Sequence, residues 1–421
     1  MRSGMTGGAI ETGFRARLAA VDWRALDLRR IAEPIAIFSP LALIISVQEP
    51  VMILVGLLFI AHSWRERDWA WLRSGWFSAL LALWVYAFFR TLLLHPTATG
   101  VLTALQWIHF AVYAVALATW ILPRKEARDR LLLALVATIA FFSLDCFLQY
   151  ATGYDIIGRP KEPNRLTSVF RKPGVGAEIG WLFLPAVAGL LGQGRRLFAA
   201  GLGVIALAAV LLTGDRMALL IALASILLFC LFAARAHKAL LLAPAAIALV
   251  LAGLLYVNPA IYHRQVETTE TIIGGVGESV YGVIWKTGLA ITRDHPAFGV
   301  GVHNYQAACL DDRYGPLLVG PHEFKRCQGH PHNIYLQWLA ETGAIGFALY
   351  CAFAALAMAA VIRAAAAHRG DLLFGALAIC LALRFWPLAT TTSFYSTWST
   401  APLFLILGWT LSFLRDERGD G

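Results

Sequence analysis

Apolar runs long enough to cross a bilayer recur from one end of this chain to the other, and they restrict its fold more than any other feature. A helix of about 20 apolar residues spans a membrane. Only 14% of the 421 residues are charged, whereas soluble domains carry roughly 25%. We therefore predict an all-α polytopic membrane protein with about twelve transmembrane helices. The predicted spans are 31–47, 50–63, 74–94, 101–122, 131–151, 176–192, 197–212, 216–234, 239–257, 334–362, 371–389 and 399–414.

One long polar segment, 258–333, interrupts this pattern. It divides the chain into spans one to nine within 1–257, a large loop at 258–333, and spans ten to twelve within 334–421. Within the loop, apolar residues at helical spacing over 277–293 predict an amphipathic helix on or near the bilayer. We expect this helix to end before Pro296.

The distribution of Lys and Arg predicts the orientation of the chain, because these residues avoid short translocated loops. The termini and alternate loops carry 21 of them, whereas the opposite short loops at 48–49, 95–100 and 390–398 carry none. Both termini are therefore predicted to be cytoplasmic. The net charge of +9 follows from this bias, so no nucleic-acid partner is expected.

The cations on the outer side oppose that bias. These cations lie in the segment before span six, directly after the 212–215 turn, and throughout the long loop. Two more arginines lie inside predicted spans, near the predicted outer end. Ionisable groups at membrane depth are functional candidates, and an anionic substrate such as a phosphate or diphosphate is their simplest partner. For any single residue, a solvated charge or a headgroup contact is the alternative. The set comprises Arg90, Arg159, Lys161, Arg165, Arg171, Lys172, Arg216, Arg264, Lys286, Arg293, Arg313, Lys325, Arg326 and Arg384.

The stretch that begins Gly329-His330-Pro331-His332-Asn333 marks the point where this loop gives way to an apolar helix. The imidazole of His332 can accept a proton near neutral pH and deprotonate a hydroxyl; a histidine that only caps the helix is the alternative. Asn333 can cap the helix, and Glu341 is expected to face the protein interior. The two histidines lack the carboxylate pattern of a metal site, so no metal or other cofactor is expected.

Two cysteines lie in the outer loop, in what would be an oxidising compartment. Cys309 and Cys327 are predicted to form a disulfide. The same loop contains Gly299-Val300-Gly301, which we interpret as a tight bend rather than a phosphate-binding loop.

These motifs together resemble the O-antigen ligase family, within a superfamily shared with O-antigen polymerases and protein O-oligosaccharyltransferases. The resemblance is carried by Thr213-Gly214-Asp215-Arg216, by the Trp285 helix with His295-Pro296-x-x-Gly299-Val300-Gly301, and by the stretch from His332-Asn333 to Gly346. The last of these is characteristic of the superfamily more than of the ligases within it.

The resemblance implies an inverting, metal-independent glycosyltransferase in the bacterial inner membrane. It would transfer a glycan from undecaprenyl diphosphate to the lipid A-core oligosaccharide at the periplasmic face. The family's essential arginine and histidine correspond to Arg216 and His332. Relatives usually carry a further arginine where this chain has Tyr281. The residues proposed to bind substrate, some of which would supply that missing charge, are Lys286, Arg293, Arg171, Arg90, Arg384 and Asn333.

A transporter or flippase for a lipid-linked anion would also need outer cations. That alternative predicts paired broken helices and internal repeats, neither of which is evident in the sequence.

Overall fold

The computed structural model describes residues 26–163, 165–234, 237–275, 277, 279–314 and 327–415. Over these residues the chain is a bundle of α-helices, with β-structure confined to isolated bridges near Tyr154 and Glu162. The all-α prediction is confirmed. The main helices are α1 Leu28–Ala42, α2 Gln48–Glu66, α3 Gly75–Leu94, α4 Ala98–Ile121, α5 Lys125–Thr152, α6 Val175–Gly192, α7 Arg196–Leu212, α8 Arg216–Ala233, α9 Leu240–Val257, α10 Val280–Asp294, α11 Ile334–Ala365, α12 Leu372–Arg384 and α13 Thr397–Ser412.

Every predicted span overlaps one of these helices. Among the described residues, eight segments are long and apolar enough to cross a membrane: α3 to α6, α8, α9, α11, and α13 with the turn that follows it. The apolar helices α7 and α12 are shorter. The chain is thus a multi-pass protein by helix length and composition, while a count of twelve crossings remains a prediction.

Two sets of side chains fasten the bundle. Glu33 of α1 is buried and pairs with both Arg124 and Arg130, the second at 2.9 Å, so α1 is tied to the start of α5. Aromatic rings fill the space beneath the start of α11. The ring of Trp338 lies 6.0 Å from that of Trp107 and 5.0 Å from that of Phe394. Such edge-to-face pairs add to the stabilisation from burial and fix the first turns of α11.

The predicted amphipathic helix is present as α10, and it ends at Asp294, before Pro296 as expected. The Ser279 hydroxyl accepts a hydrogen bond from the Gly282 N–H and begins the helix. Its buried face, which includes Ile284 and Ile291, packs on α11. The helix is therefore part of the protein core as well as amphipathic.

Helix α11 is not continuous, contrary to the single span predicted at 334–362. It breaks at Gly343, whose φ of 69° and ψ of −171° are not helical. This break was not predicted from the sequence, and one broken helix is not by itself the paired arrangement expected of a transporter. Irregular backbone at membrane depth is tolerated only where other groups satisfy its hydrogen bonds.

The loop at 296–301 supplies those partners. The N–H groups of Val300 and Gly301 donate to the carbonyls of Ala340 and Glu341, at 3.0 and 2.7 Å, and the Ala344 N–H donates to the Pro296 carbonyl at 2.8 Å. Gly299 and Gly301 have φ values of 63° and 101°, which confirms the predicted bend.

Candidate functional site

The Thr213-Gly214-Asp215-Arg216 turn lies at one end of the bundle, which we call the site end. Asp215 caps α8 by accepting a hydrogen bond from the Ala218 N–H at 3.2 Å, and Arg216 is the first residue of that helix. Within the described part of the chain, the partly buried Arg216 guanidinium forms neither an ion pair nor a hydrogen bond with a protein group. Arg216 is therefore positioned by the cap and available to a ligand.

Two further arginines, Arg165 and Arg264, join this turn. Arg264 Nε donates to the Gly214 carbonyl at 2.9 Å, and an Arg165 Nη atom lies 3.6 Å from the Asp215 carboxylate. Partial burial lowers the pKa of Arg264, and the positive charges of Arg165 and Arg216 lower it further. We call Arg165, Arg216 and Arg264 the arginine cluster. Three guanidiniums face one carboxylate there, which is an arrangement suited to an anion.

His332 occupies the segment that leads into α11. Its φ of 52° places it in the left-handed region, where non-glycine residues are uncommon and often functional. The Thr391 N–H donates to its carbonyl at 2.9 Å and holds that conformation. The His332 imidazole is partly exposed.

Burial lowers the pKa values of both neighbouring imidazoles, His330 and His332. Burial lowers the pKa of His332, opposed by a backbone hydrogen bond with Thr391. Burial and then the positive charge that His332 can carry lower the pKa of His330 to about 4. Their ring centroids are 4.3 Å apart. Both rings are therefore neutral near pH 7, the form in which an imidazole accepts a proton.

Tyr281, on the first turn of α10, connects the two halves of the site. Its ring centroid is 6.1 Å from that of His332, in an edge-to-face arrangement. Its hydroxyl also interacts electrostatically with Arg264. Arg264 of the arginine cluster and His332 are far apart in sequence, but both interact with this tyrosine.

Asn333 and Glu341 support this arrangement from below. The Asn333 Oδ1 accepts from the Leu336 N–H at 2.9 Å, which confirms the predicted cap, and its Nδ2 donates to the Pro387 carbonyl at 2.6 Å. Glu341 is fully buried, as expected, and Gln337 Nε2 lies 3.5 Å from its carboxylate. Both ends of the Asn333 amide are therefore engaged by the protein.

Arg90 lies at the site end but binds backbone. Its Nε and Nη2 donate to the carbonyls of Phe298 and Gly299, so it clamps the loop that enters the break in α11. Its Nη1 is buried without a partner among the described residues. The contacts indicate a positioning role in addition to the predicted one.

Arg384 lies inside the bundle instead. Its guanidinium donates to Ser399 and stands 5.1 Å from the centroid of the Trp181 ring. The Glu178 carboxylate interacts with it electrostatically. The Arg384 Nε is buried without a partner among the described residues.

The structure does not bring the remaining predicted cations into the cluster. Arg171 is exposed before α6. Lys286 is exposed on α10, with its Nζ beside Gly277. Arg293 is exposed in the last turn of α10, about 18 Å along the axis from Tyr281 at 1.5 Å per residue. Arg264 and Arg165 thus lie where Lys286 and Arg293 were expected. Lys325 and Arg326 lie outside the described residues.

Arg165 and Arg264 were recognised in the sequence only as members of a large set of outer cations. Neither lies in a motif, so spacing did not distinguish them. The excess of positive charge in translocated segments was the only available signal.

One other expectation has a clear outcome. Cys309 and Cys327 form a disulfide with a Cα–Cα distance of 5.5 Å, so that prediction is confirmed. Among the described residues no three His, Cys, Asp or Glu side chains group as metal ligands do.

Residues 201–351 match the family model described as O-antigen ligase. Over this segment, a little more than a third of the chain, the protein is therefore similar to the O-antigen ligase family. The matched segment begins in α7, ends in α11, and contains Arg216, Arg264, Tyr281 and His332. Arg165 and Arg90 lie outside it. No curated protein matches the chain. Members of this family are membrane glycosyltransferase-like enzymes.

Proposed function

We propose that the protein is an O-antigen ligase. It transfers a glycan from undecaprenyl diphosphate to the lipid A-core oligosaccharide, with inversion at the anomeric carbon and without a metal ion. The observation that carries this proposal is that Arg264 of the arginine cluster and the His332 imidazole both interact with Tyr281. A diphosphate and a hydroxyl are the two groups that such a pair of sites would recognise.

The arginine cluster acts on the leaving group. As the bond between the anomeric carbon and the diphosphate oxygen breaks, negative charge grows on that oxygen. Preorganised cations aimed at developing charge stabilise the transition state, and removal of one such donor typically costs about 10²–10³ in kcat. Arg216, which has no protein partner in the described region, contacts the diphosphate directly in this mechanism.

His332 acts on the acceptor. Its neutral imidazole takes the proton of the attacking sugar hydroxyl while the oxygen forms its bond to the anomeric carbon. General-base catalysis contributes about 10²–10⁴ in rate. In this proposal the hydroxyl attacks the anomeric carbon on the face opposite the leaving diphosphate, which inverts the anomeric centre.

The proposed orientation puts the site end in the periplasm and both termini in the cytoplasm of a cell whose inner membrane holds the protein. The excess of Lys and Arg in the opposite loops supports it. The disulfide between Cys309 and Cys327 supports it as well, because disulfides persist in oxidising compartments.

The test is transfer by the purified protein in detergent, with undecaprenyl diphosphate-linked glycan, lipid A-core and no energy source. Glycan-capped lipid A-core is expected from the wild type. Arg216→Gln and His332→Gln should each lower the rate at least 100-fold. Arg73→Gln, which changes an exposed arginine in the loop before α3, is the matched control and should retain the wild-type rate.

The outcomes separate the alternatives. Transfer to a second lipid-linked glycan would identify an O-antigen polymerase, and transfer to a protein would identify an O-oligosaccharyltransferase. Movement of donor across a vesicle membrane without transfer would indicate a flippase. Wild-type rates for both site variants would refute the assigned roles.

A further inference from the structure

A second candidate binding site lies at the opposite end of the bundle. A cavity of about 920 Å³ opens between α5, α6, α7, α12 and the residues that precede α9. Arg216 begins α8 at the site end, and the last turn of α8 lies near this cavity. The 18 residues of α8 correspond to about 27 Å, so the cavity is separate from the arginine cluster.

The walls of the cavity are apolar and its rim is basic. Leu132, Leu191, Leu372 and Phe413 line the walls. The exposed cations Lys125, Arg196 and Lys238 line the rim. A polar metabolite gains nothing from such walls, whereas an amphipathic molecule fits both surfaces.

The two carboxylates of the lining are occupied by the protein. The Asp129 carboxylate lies 2.6 Å from Lys125 Nζ and accepts from Gln193 at 3.3 Å. The Asp371 carboxylate caps α12 by accepting from the Phe374 N–H at 3.0 Å. Positive charge is therefore in excess at the rim.

The cations fall into two groups. Arg128 is 5% exposed, donates to two backbone carbonyls and stands 4.5 Å above the centroid of the Phe413 ring. It provides a fixed positive charge deep in the cavity. Arg196 and Lys238 are exposed and form no ion pair with any described residue, so they remain available to a ligand.

We propose that this cavity binds an anionic phospholipid, with the phosphate of the headgroup between Arg196 and Lys238 and part of an acyl chain against the apolar walls. Basic pockets between transmembrane helices bind such headgroups, and the volume lies within the range of about 300–1,000 Å³ that small ligands occupy. The apolar walls favour a lipid over a free phosphate. At Gly192 and Gly194 the structure leaves open space next to the backbone, which keeps the entrance wide.

Native mass spectrometry of the full chain in detergent tests this proposal. The probes are cardiolipin, phosphatidylglycerol, phosphatidylcholine and soluble glycerol phosphate. The two anionic lipids are expected to be retained at least tenfold more than phosphatidylcholine. Arg196→Gln and Lys238→Gln should each weaken their retention about fivefold, as expected for one cation near a lipid headgroup.

A filling variant and matched controls complete the design. Gly192→Phe should block retention by occupying the cavity. Gly201→Phe, at another exposed helical glycine with open space around it, and Arg73→Gln should bind lipid as the wild type does. Thermal unfolding of each variant verifies that it is folded, and the two exposed-cation variants test the proposal even where Gly192→Phe is unstable.

Three results would overturn the proposal. One is equal retention of neutral and anionic lipids. Another is unchanged retention by the Arg196→Gln/Lys238→Gln double variant. The third is binding of glycerol phosphate as tight as that of the lipids, which would indicate a site for a soluble anion.

Discussion

Replacing Gly343 with alanine should separate the outer loop from α11. The backbone at Gly343 has φ and ψ values that only glycine adopts readily, and forcing another residue into that region costs about 1–3 kcal/mol. An added Cβ would also lie 2.2 Å from the Ala297 carbonyl oxygen. Because the obstacle is backbone rather than a flexible side chain, the loop must move.

The displacement breaks a defined set of interactions. Three hydrogen bonds join the loop to α11, from Val300, Gly301 and Ala344, and each contributes about 0.5–1.5 kcal/mol. Adding the backbone strain gives a destabilisation on the order of 3–7 kcal/mol. Thermal unfolding of the purified protein, followed by tryptophan fluorescence, measures it.

A second glycine makes the test sharper. A Cβ at Gly299 would lie 2.4 Å from the backbone carbon of Glu341, so Gly299→Ala disrupts the same junction from the loop side. The double variant should therefore lose much less than the sum of the single losses. Gly253→Ala, in α9 with open space around it, is the control and should change stability by less than about 1 kcal/mol.

The expected loss is refuted if Gly343→Ala unfolds at the wild-type temperature. Strict additivity of Gly343→Ala and Gly299→Ala would also refute the shared junction, because it would mean that each glycine supports a different contact.

Three further predictions concern the site itself. Arg264→Gln should lower kcat/KM of glycan transfer about 10–100-fold, because one charge-assisted contact is lost. Arg264→Lys should retain more activity. Equal rates for both variants and the wild type would exclude Arg264 from the site. Because burial lowers the pKa of His332 from its ordinary value of about 6.5 and the neutral ring is the base, the rate should fall on acidification with a midpoint below pH 6.5. A midpoint above pH 6.5 in a rate-against-pH profile would contradict this assignment. Reduction of the disulfide between Cys309 and Cys327 should lower the unfolding temperature, since such cross-links stabilise a protein by about 2–4 kcal/mol. Cys309→Ser is the control, and reductant should not change its unfolding temperature.

The sequence predicted the elements of this fold well, because hydrophobic periodicity reports local structure directly. The helix at 280–294, the bend at Gly299, the cap at Asn333 and the disulfide each follow from short-range chemistry. Span boundaries were less accurate, since polar residues flank several helices inside the bundle.

Features that depend on contacts between distant parts of the chain could not be predicted from hydrophobic periodicity. The break at Gly343 is stable only because carbonyl and N–H groups near Val300 replace the lost helical bonds, and nothing near Gly343 in the sequence records that partner. Arg264 follows α9 in the sequence, yet its side chain donates a hydrogen bond to the Gly214 carbonyl in the turn before α8. Lys286 was favoured in its place because it is near Trp285 in sequence, although the side chain is exposed.

The break in α11 and the contact of Arg264 with the 213–216 turn both help to hold the segment 258–333 in position. Arg216 begins α8, whereas Arg264 and Tyr281 both belong to the segment 258–333, which lies between predicted spans. Inserting that segment's backbone into the break in α11, and clamping it with Arg90, fixes its position against the helix that begins just after His332. A loop held only by surface contacts would let the base and the phosphate site drift apart, and displacements of about 1 Å are enough to cost about 10²-fold in rate. In the proposed mechanism the broken helix therefore belongs to the catalytic architecture, because it helps to fix His332 relative to the arginine cluster.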